Sequence, residues 1–174
     1  MKTKFNQINA KWAILSAMVL GSAGLSAISY AATATGTMTV STTVAMSCTI
    51  SAGAMTFASY DPTAGGAVDG SATIQSTCSK GGAAIITMGQ GSNASAGSTP
   101  AAPVRQMSNG DARLAYDIYS DADRSAAIGD TAETGLAVTG TGGAFGTAVY
   151  GRIPAGQVVG VGSFSDQVLI VVTF

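Results

Sequence analysis

Cys48 and Cys78 are the only thiols in the chain, and no histidine accompanies them. Two thiols without further ligands cannot close a tetrahedral zinc site, and a thiol without an imidazole lacks the base that activates a cysteine nucleophile. In an exported chain such a pair is most simply a disulfide. It would close a loop of about 30 residues and contribute roughly 3–4 kcal/mol in the chain-entropy model. Other candidates for chemistry are weaker. Asp121 and Asp123, with Asp130 nearby, could suggest calcium, but the EF-hand spacing and its terminal glutamate are missing, so exposed loop carboxylates are the plainer reading. Gly140-Thr141-Gly142-Gly143 has no helix after it and no βαβ unit around it, so it reads as a loop and not as a phosphate cradle. Asn93-Ala94-Ser95 matches the glycosylation pattern by chance. With no histidine the usual general base and the catalytic triads are absent. The expectation is a non-enzyme with no cofactor and no metal.

The elements that must hold these residues begin with a leader. Lys2, Lys4 and Lys11 precede an apolar region, Ala13 to Leu25, and Ser29-Tyr30-Ala31 offers small residues at −3 and −1 of a cleavage site, so residues 1–31 read as a signal peptide. Its apolar region is short and interrupted for a membrane span. Cleavage leaves 143 of the 174 residues, one domain's worth, with 5 basic and 9 acidic groups, a net charge of −4. That balance argues against nucleic acid or an anionic membrane surface as partner. Only 10% of the residues are charged, where soluble domains have roughly a quarter. Low charge suits a protein whose surface is covered by neighbours, such as a filament or coat subunit, and equally an ordinary secreted bacterial β-domain.

The stretch Gly36 to Cys48 alternates. Gly36, Met38, Val40, Val44, Met46 and Cys48 share one parity and Thr37, Thr39, Ser41, Thr43, Ala45 and Ser47 the other; Thr42 is the polar member of the apolar row. This predicts a long strand with one buried and one wet face, a hazard at a free end unless something pairs with it. Beyond it, short strands are expected at Met55–Ser59, Ala72–Cys78, Ala84–Met88, Val104–Met107, Ala112–Ser120, Leu136–Thr139, Ala148–Ile153 and, interrupted by glycine, Val158–Val161. Asn109-Gly110 marks a hairpin turn, and Ser92–Pro103 reads as a loop. The chain ends in Gln167 to Phe174, apolar on both faces, which predicts a strand in the middle of a packed structure. The aromatic residues are spread over many strands, as core residues would be. No segment has helical periodicity, and the pattern predicts an antiparallel sandwich.

Several landmarks then fall in order: Thr39-Val40-Ser41-Thr42-Thr43-Val44 before Cys48; Phe57 and Tyr60-Asp61-Pro62; Thr77-Cys78-Ser79 and Gly89-Gln90-Gly91; Arg105-Gln106-Met107; Leu114-Ala115-Tyr116-Asp117-Ile118-Tyr119; Val149-Tyr150-Gly151-Arg152-Ile153-Pro154-Ala155-Gly156-Gln157; and Phe164-Ser165-Asp166-Gln167-Val168 leading to Phe174. This set resembles the spore coat protein U family, and within it the rod subunits of archaic, Csu-type chaperone–usher pili, over essentially the whole mature chain. Ala58 stands where that pattern has glycine, and Ala127-Ile128-Gly129-Asp130 where it carries a tryptophan segment.

The resemblance implies an immunoglobulin-like sandwich lacking its last strand, polymerising by donor-strand complementation. Residues 32–46 would be the donor strand and 47–174 the body. Met38, Val40, Val44 and Met46 would be plugs, with Gly36 and Thr42 over shallower pockets. Val168, Ile170, Val172 and Phe174 would border the acceptor groove and form the edge that a chaperone holds. Burying four plugs at ~1.5–3 kcal/mol each offers about 6–12 kcal/mol before ordering costs. The implied partners are identical subunits, a periplasmic chaperone, an outer-membrane usher and minor or tip pilins, with no nucleic acid and no small-molecule substrate; the implied destination is the cell-surface pilus, serving attachment and biofilm formation. The competing readings are a self-complete surface coat protein whose N-terminal strand folds back on its own domain, and a minor adaptor pilin. A tip adhesin would need a further receptor-binding domain, for which 143 residues leave no room.

Overall fold

The computed structural model describes residues 30–174; the expected leader therefore lies almost wholly outside the described residues. Among these, every regular element is a strand: β1 Cys48–Ala52, β2 Thr56–Phe57, β3 Val68–Cys78, β4 Ala83–Met88, β5 Arg105–Asn109, β6 Ala112–Tyr119, β7 Leu136–Thr139, β8 Ala144–Ile153 and β9 Ile170–Thr173. All pairings are antiparallel. The larger sheet runs β1-β3-β8-β6-β5, with β2 pairing β3 beyond the end of β1, and the smaller runs β7-β4-β9. The inward rows of the two sheets meet in one core built on Ile74, Ile86, Met88, Leu114, Ile118 and Val149. This is the expected all-β antiparallel sandwich.

The alternation that predicted β6 holds residue by residue: Leu114, Tyr116 and Ile118 are buried, and Arg113 is exposed. The hairpin preceding it turns one residue later than expected. Asn109 pairs with Ala112, so the two-residue loop is Gly110-Asp111, and Gly110 has φ +59°. A two-residue loop with glycine first is the form whose twist matches the strands. The expected strand at Met55–Ser59 shrinks to Thr56–Phe57, and β3 and β8 are longer than expected because they pair with each other over ten positions. No strand forms at Val158–Val161, where Val158 and Val161 are fully exposed.

Two expectations are corrected. The terminal strand is not central: β9 is four residues long and forms an edge of the smaller sheet. Its two apolar faces therefore differ, Ile170 and Val172 packing on the core while Leu169 and Val171 are 71% and 39% exposed. The stretch Gly36–Cys48 is strand only at Cys48; residues 30–47 have no strand assignment. Met38, Val40 and Val44 are 86%, 86% and 87% exposed, so the apolar row is present but its surface is in solvent.

Cys48 and Cys78 form a disulfide across directly paired positions of β1 and β3, with a Cα–Cα distance of 4.1 Å. Replacing both cysteines by serine is expected to lower stability by about 3 kcal/mol, read as a shift in the denaturant midpoint that reductant reproduces in the native chain. An unchanged midpoint would mean that the β1–β3 ladder suffices without the bond.

Candidate functional site

The edge of β9 borders the site. Gly89 N–H donates to the Leu169 carbonyl at 2.8 Å and Ser92 N–H to the Gln167 carbonyl at 3.0 Å. Backbone groups of successive strand residues point in opposite directions, so those of Ile170 and Val172 face away from β4, toward the free edge. A buried or half-buried edge with unpaired N–H and C=O groups asks for another strand.

Beneath this edge is an apolar cleft of about 330 Å³. One wall comes from the end of β1, from β2 and from the turn between them, through Ala52, Phe57 and Met55; the other comes from Phe164, Val168 and Ile170; Ile74, Met88, Tyr116, Ile118 and Val149 form the floor. It continues into a second cleft of about 520 Å³ that shares Met55, Phe57, Met107 and Phe164 and extends to Tyr60, Pro62 and Val159–Gly162. The two together make one long groove with apolar floor and a hydrogen-bonding rim. Phe57 forms its wall by lying over two glycines: a Cβ on Gly151 would come 2.6 Å from the Phe57 ring, and one on Gly70 2.9 Å. Phe57 also meets the Tyr116 ring edge to face, with centroids 6.2 Å apart.

The rim is held by polar groups to which the sequence assigned no role. Asp166, just before the terminal strand, accepts Tyr116 Oη–H at 2.8 Å on one oxygen. On the other it accepts Ser92 N–H at 3.0 Å, Asn93 N–H at 3.2 Å and Asn93 Nδ2–H at 2.9 Å. Burial, and then the hydrogen bond to and the charge of Asp166, push the Tyr116 phenol well above its ordinary value, so it stays a neutral donor. Asp166 Oδ1 also occupies the Asn93 side-chain amide of the glycosylation-like triplet. Arg105 is 1% exposed; its Nε donates to Gly89 O at 2.9 Å and its Nη2 to Met88 O at 2.7 Å and Ile128 O at 2.9 Å. Burial lowers its pKa from the usual arginine value. It sits at the floor's edge and closes carbonyls where β4 ends and the loops begin. Gln157 does similar work for β6: its side chain accepts Ala115 N–H at 2.7 Å and donates to Ala115 O at 2.9 Å, beyond the last β6–β8 pair at Asp117–Arg152.

The structure thus places Val168, Ile170 and Val172 along one inward row, the first two lining the cleft, and leaves Phe174 half exposed at the chain's end. Gly36, Met38, Val40, Thr42 and Val44 lie exposed, whereas Met46 is half-buried. Asp121 is occupied within its own loop, accepting Ser125 and Ala126 N–H groups at 2.9–3.1 Å. A signal for Arg105 existed, since it shares the inward parity of Met107 in a chain poor in charge; nothing local marks Asp166, whose partners are about 50 and 73 residues away.

Comparison with known proteins bears on this geometry. The model of the Spore Coat Protein U domain matches residues 34–171. Protein U of Myxococcus xanthus is 43% identical over 93 residues, covering 52% of this chain and 52% of that protein, so the chain spans about half the length of the curated relative it matches. Among solved structures, the CsuC–CsuE chaperone–tip adhesion subunit pre-assembly complex from archaic chaperone–usher Csu pili of Acinetobacter baumannii matches with a TM-score of 0.52 at 20% identity, over 76% of this chain and 40% of that one. That likeness is one of fold, and it identifies the sandwich as immunoglobulin-like.

Proposed function

We propose, from the premise that the chain belongs to the Spore Coat Protein U domain family, that it is a subunit of a chaperone–usher pilus that polymerises through its N-terminal strand. One observation carries this: the body has an open strand edge above an apolar groove, and the same chain carries an exposed, alternating apolar row that has the form of the missing strand. In the fibre, Met38, Val40 and Val44 of one subunit fill the groove of the next, with Gly36 and Thr42 over its shallower parts. Their backbone pairs with Ile170 and Val172. The nine residues from Gly36 to Val44 at ~3.3 Å each span roughly 30 Å, enough to follow the groove across a domain. Three plugs at ~1.5–3 kcal/mol each give about 5–9 kcal/mol before hydrogen bonds and ordering costs. The mode is strand addition, in which an extended segment pairs with an exposed sheet edge and its alternate side chains fill pockets.

The rest of the proposal follows from that step. Residues 1–31 are removed on export, 32–46 form the donor segment and 47–174 the body. Before assembly a periplasmic chaperone covers the β9 edge, as the solved relative's pairing with a chaperone suggests; an outer-membrane usher then exchanges it for the donor strand of an identical subunit. The product is a surface fibre for attachment and biofilm formation, built mainly of this subunit and joined to minor or tip pilins.

Deletion tests the reading. A chain lacking residues 32–47 should be poorly stable and prone to associate. A synthetic peptide of that segment should raise its unfolding temperature in a saturable way. A deletion product that is stable and monomeric without peptide would instead favour a self-complete coat protein.

A further inference from the structure

Met46 has the parity of the apolar row, but its surroundings set it apart from that row. Val44 is 87% exposed, while Met46, two residues on, is half-buried. Its side chain lies on Gly82: a Cβ built there would come 2.6 Å from Met46 Cε and 2.8 Å from Sδ. Gly82 is itself held in place. Its N–H donates to Ser79 O at 3.1 Å, its carbonyl accepts Gly140 N–H at 2.8 Å, and the neighbouring Gly81 N–H donates to Gly140 O at 2.9 Å. The next residue, Ser47, is tied twice to Ser79, accepting its N–H at 2.9 Å and donating to its Oγ at 3.0 Å. The residue after that is Cys48, bonded to Cys78. Three successive residues are therefore fastened to the short stretch 78–82 by three different kinds of contact.

The geometry points to Met46 as a positioning residue: seated on Gly82, it fixes the direction in which the segment ending at Ala45 leaves the body, and the docking row ends at Val44. This inference rests on the donor-strand reading. A free root lets the donor segment sample many directions and dilutes the productive one, whereas a held root raises the effective concentration of the strand at the next groove. Methionine suits such a seat, because its unbranched side chain follows an irregular hollow. Glycine supplies the hollow.

Three measurements test this, the first two on the mature chain carrying Val40→Asp, which removes assembly from the readout, and the third on the chain with native Val40. The first is a thermal cycle of Met46→Ala, Gly82→Ala and the pair. Gly82→Ala should lower the unfolding midpoint by several degrees when methionine is present and hardly at all together with Met46→Ala; additive effects would overturn the seat. The second titrates synthetic 32–47 peptides into the same chain. The Met46→Ala peptide should bind within about twofold of the native one, while a Val40→Ala peptide loses roughly tenfold or more. The Met46→Ala chain with native Val40 should nevertheless assemble more slowly than the native chain. Equal losses for the two peptides would make Met46 a plug, and an unchanged assembly rate would remove its positioning role; either overturns the inference. If no peptide binds, the donor-strand reading fails and the docking role with it, while the thermal cycle still decides the seat.

Discussion

Val40→Asp is expected to abolish fibres while leaving the subunit folded and able to bind its chaperone. In the free chain Val40 is 86% exposed, so a carboxylate there costs its own body nothing. Docked, the same side chain would enter a groove floored by Ile74, Met88, Ile118 and Val149, where no described side chain offers a cation. The substitution removes about 1.5–3 kcal/mol of apolar burial. It then either buries a charge or protonates it at the expense of a raised pKa. A combined loss of about 4–5 kcal/mol is some three orders of magnitude in affinity. Chaperone binding is expected to survive, because on the proposed reading the chaperone covers the β9 edge and the donor row takes no part. The check is electron microscopy and size-exclusion chromatography of the co-expressed variant, with the chaperone complex as control. Met38→Asp should behave alike. Fibres of native length from either variant would remove these residues from the interface.

The second large effect concerns the body. Arg105→Ala should destabilise the domain by about 4–5 kcal/mol, at the extreme of single-residue effects. The guanidinium is 1% exposed and donates to three main-chain carbonyls. Its removal leaves Met88, Gly89 and Ile128 carbonyls unpaired in a volume too confined for easy repair, and unmade buried bonds cost about 1–3 kcal/mol each. The damage falls at the groove, because Met88 is part of its floor and Gly89 N–H anchors Leu169. Arg105→Lys should recover only part of the loss, since an ammonium lacks the planar fork that reaches three acceptors. Denaturant unfolding gives the measure, with the donor peptide's affinity falling in parallel. A loss below about 1 kcal/mol would mean that water or a shifted loop satisfies those carbonyls equally well.

Much of the sandwich was legible in the sequence because strand periodicity is local. The inward row of β6, the limits of β7 and the pairing of Cys48 with Cys78 all follow from neighbours in sequence or from counting residue types. The alternating apolar row of Gly36 to Met46 was legible as a pattern for the same reason. The groove was not. It is made by Phe57, Val149 and Ile170, residues far apart in sequence that look like any other core positions until the two sheets are placed. Arg105 and Asp166 escaped because their partners lie on other elements, in Arg105's case carbonyls that have no residue identity at all.

The amino-acid sequence by itself determined that the chain is a low-charge, histidine-free β-protein with one disulfide and an alternating segment ahead of its body, because composition and period-2 patterning belong to each residue and its immediate neighbours. The tertiary structure alone decided which apolar rows have partners. Gln167–Phe174 reads as a central strand from its two apolar faces, yet β9 is an edge with Leu169 exposed. Met46 reads as one more plug, yet it rests on Gly82. Burial is a property of what stands across a gap in space, and neither hydrophobicity nor spacing along the chain encodes that gap.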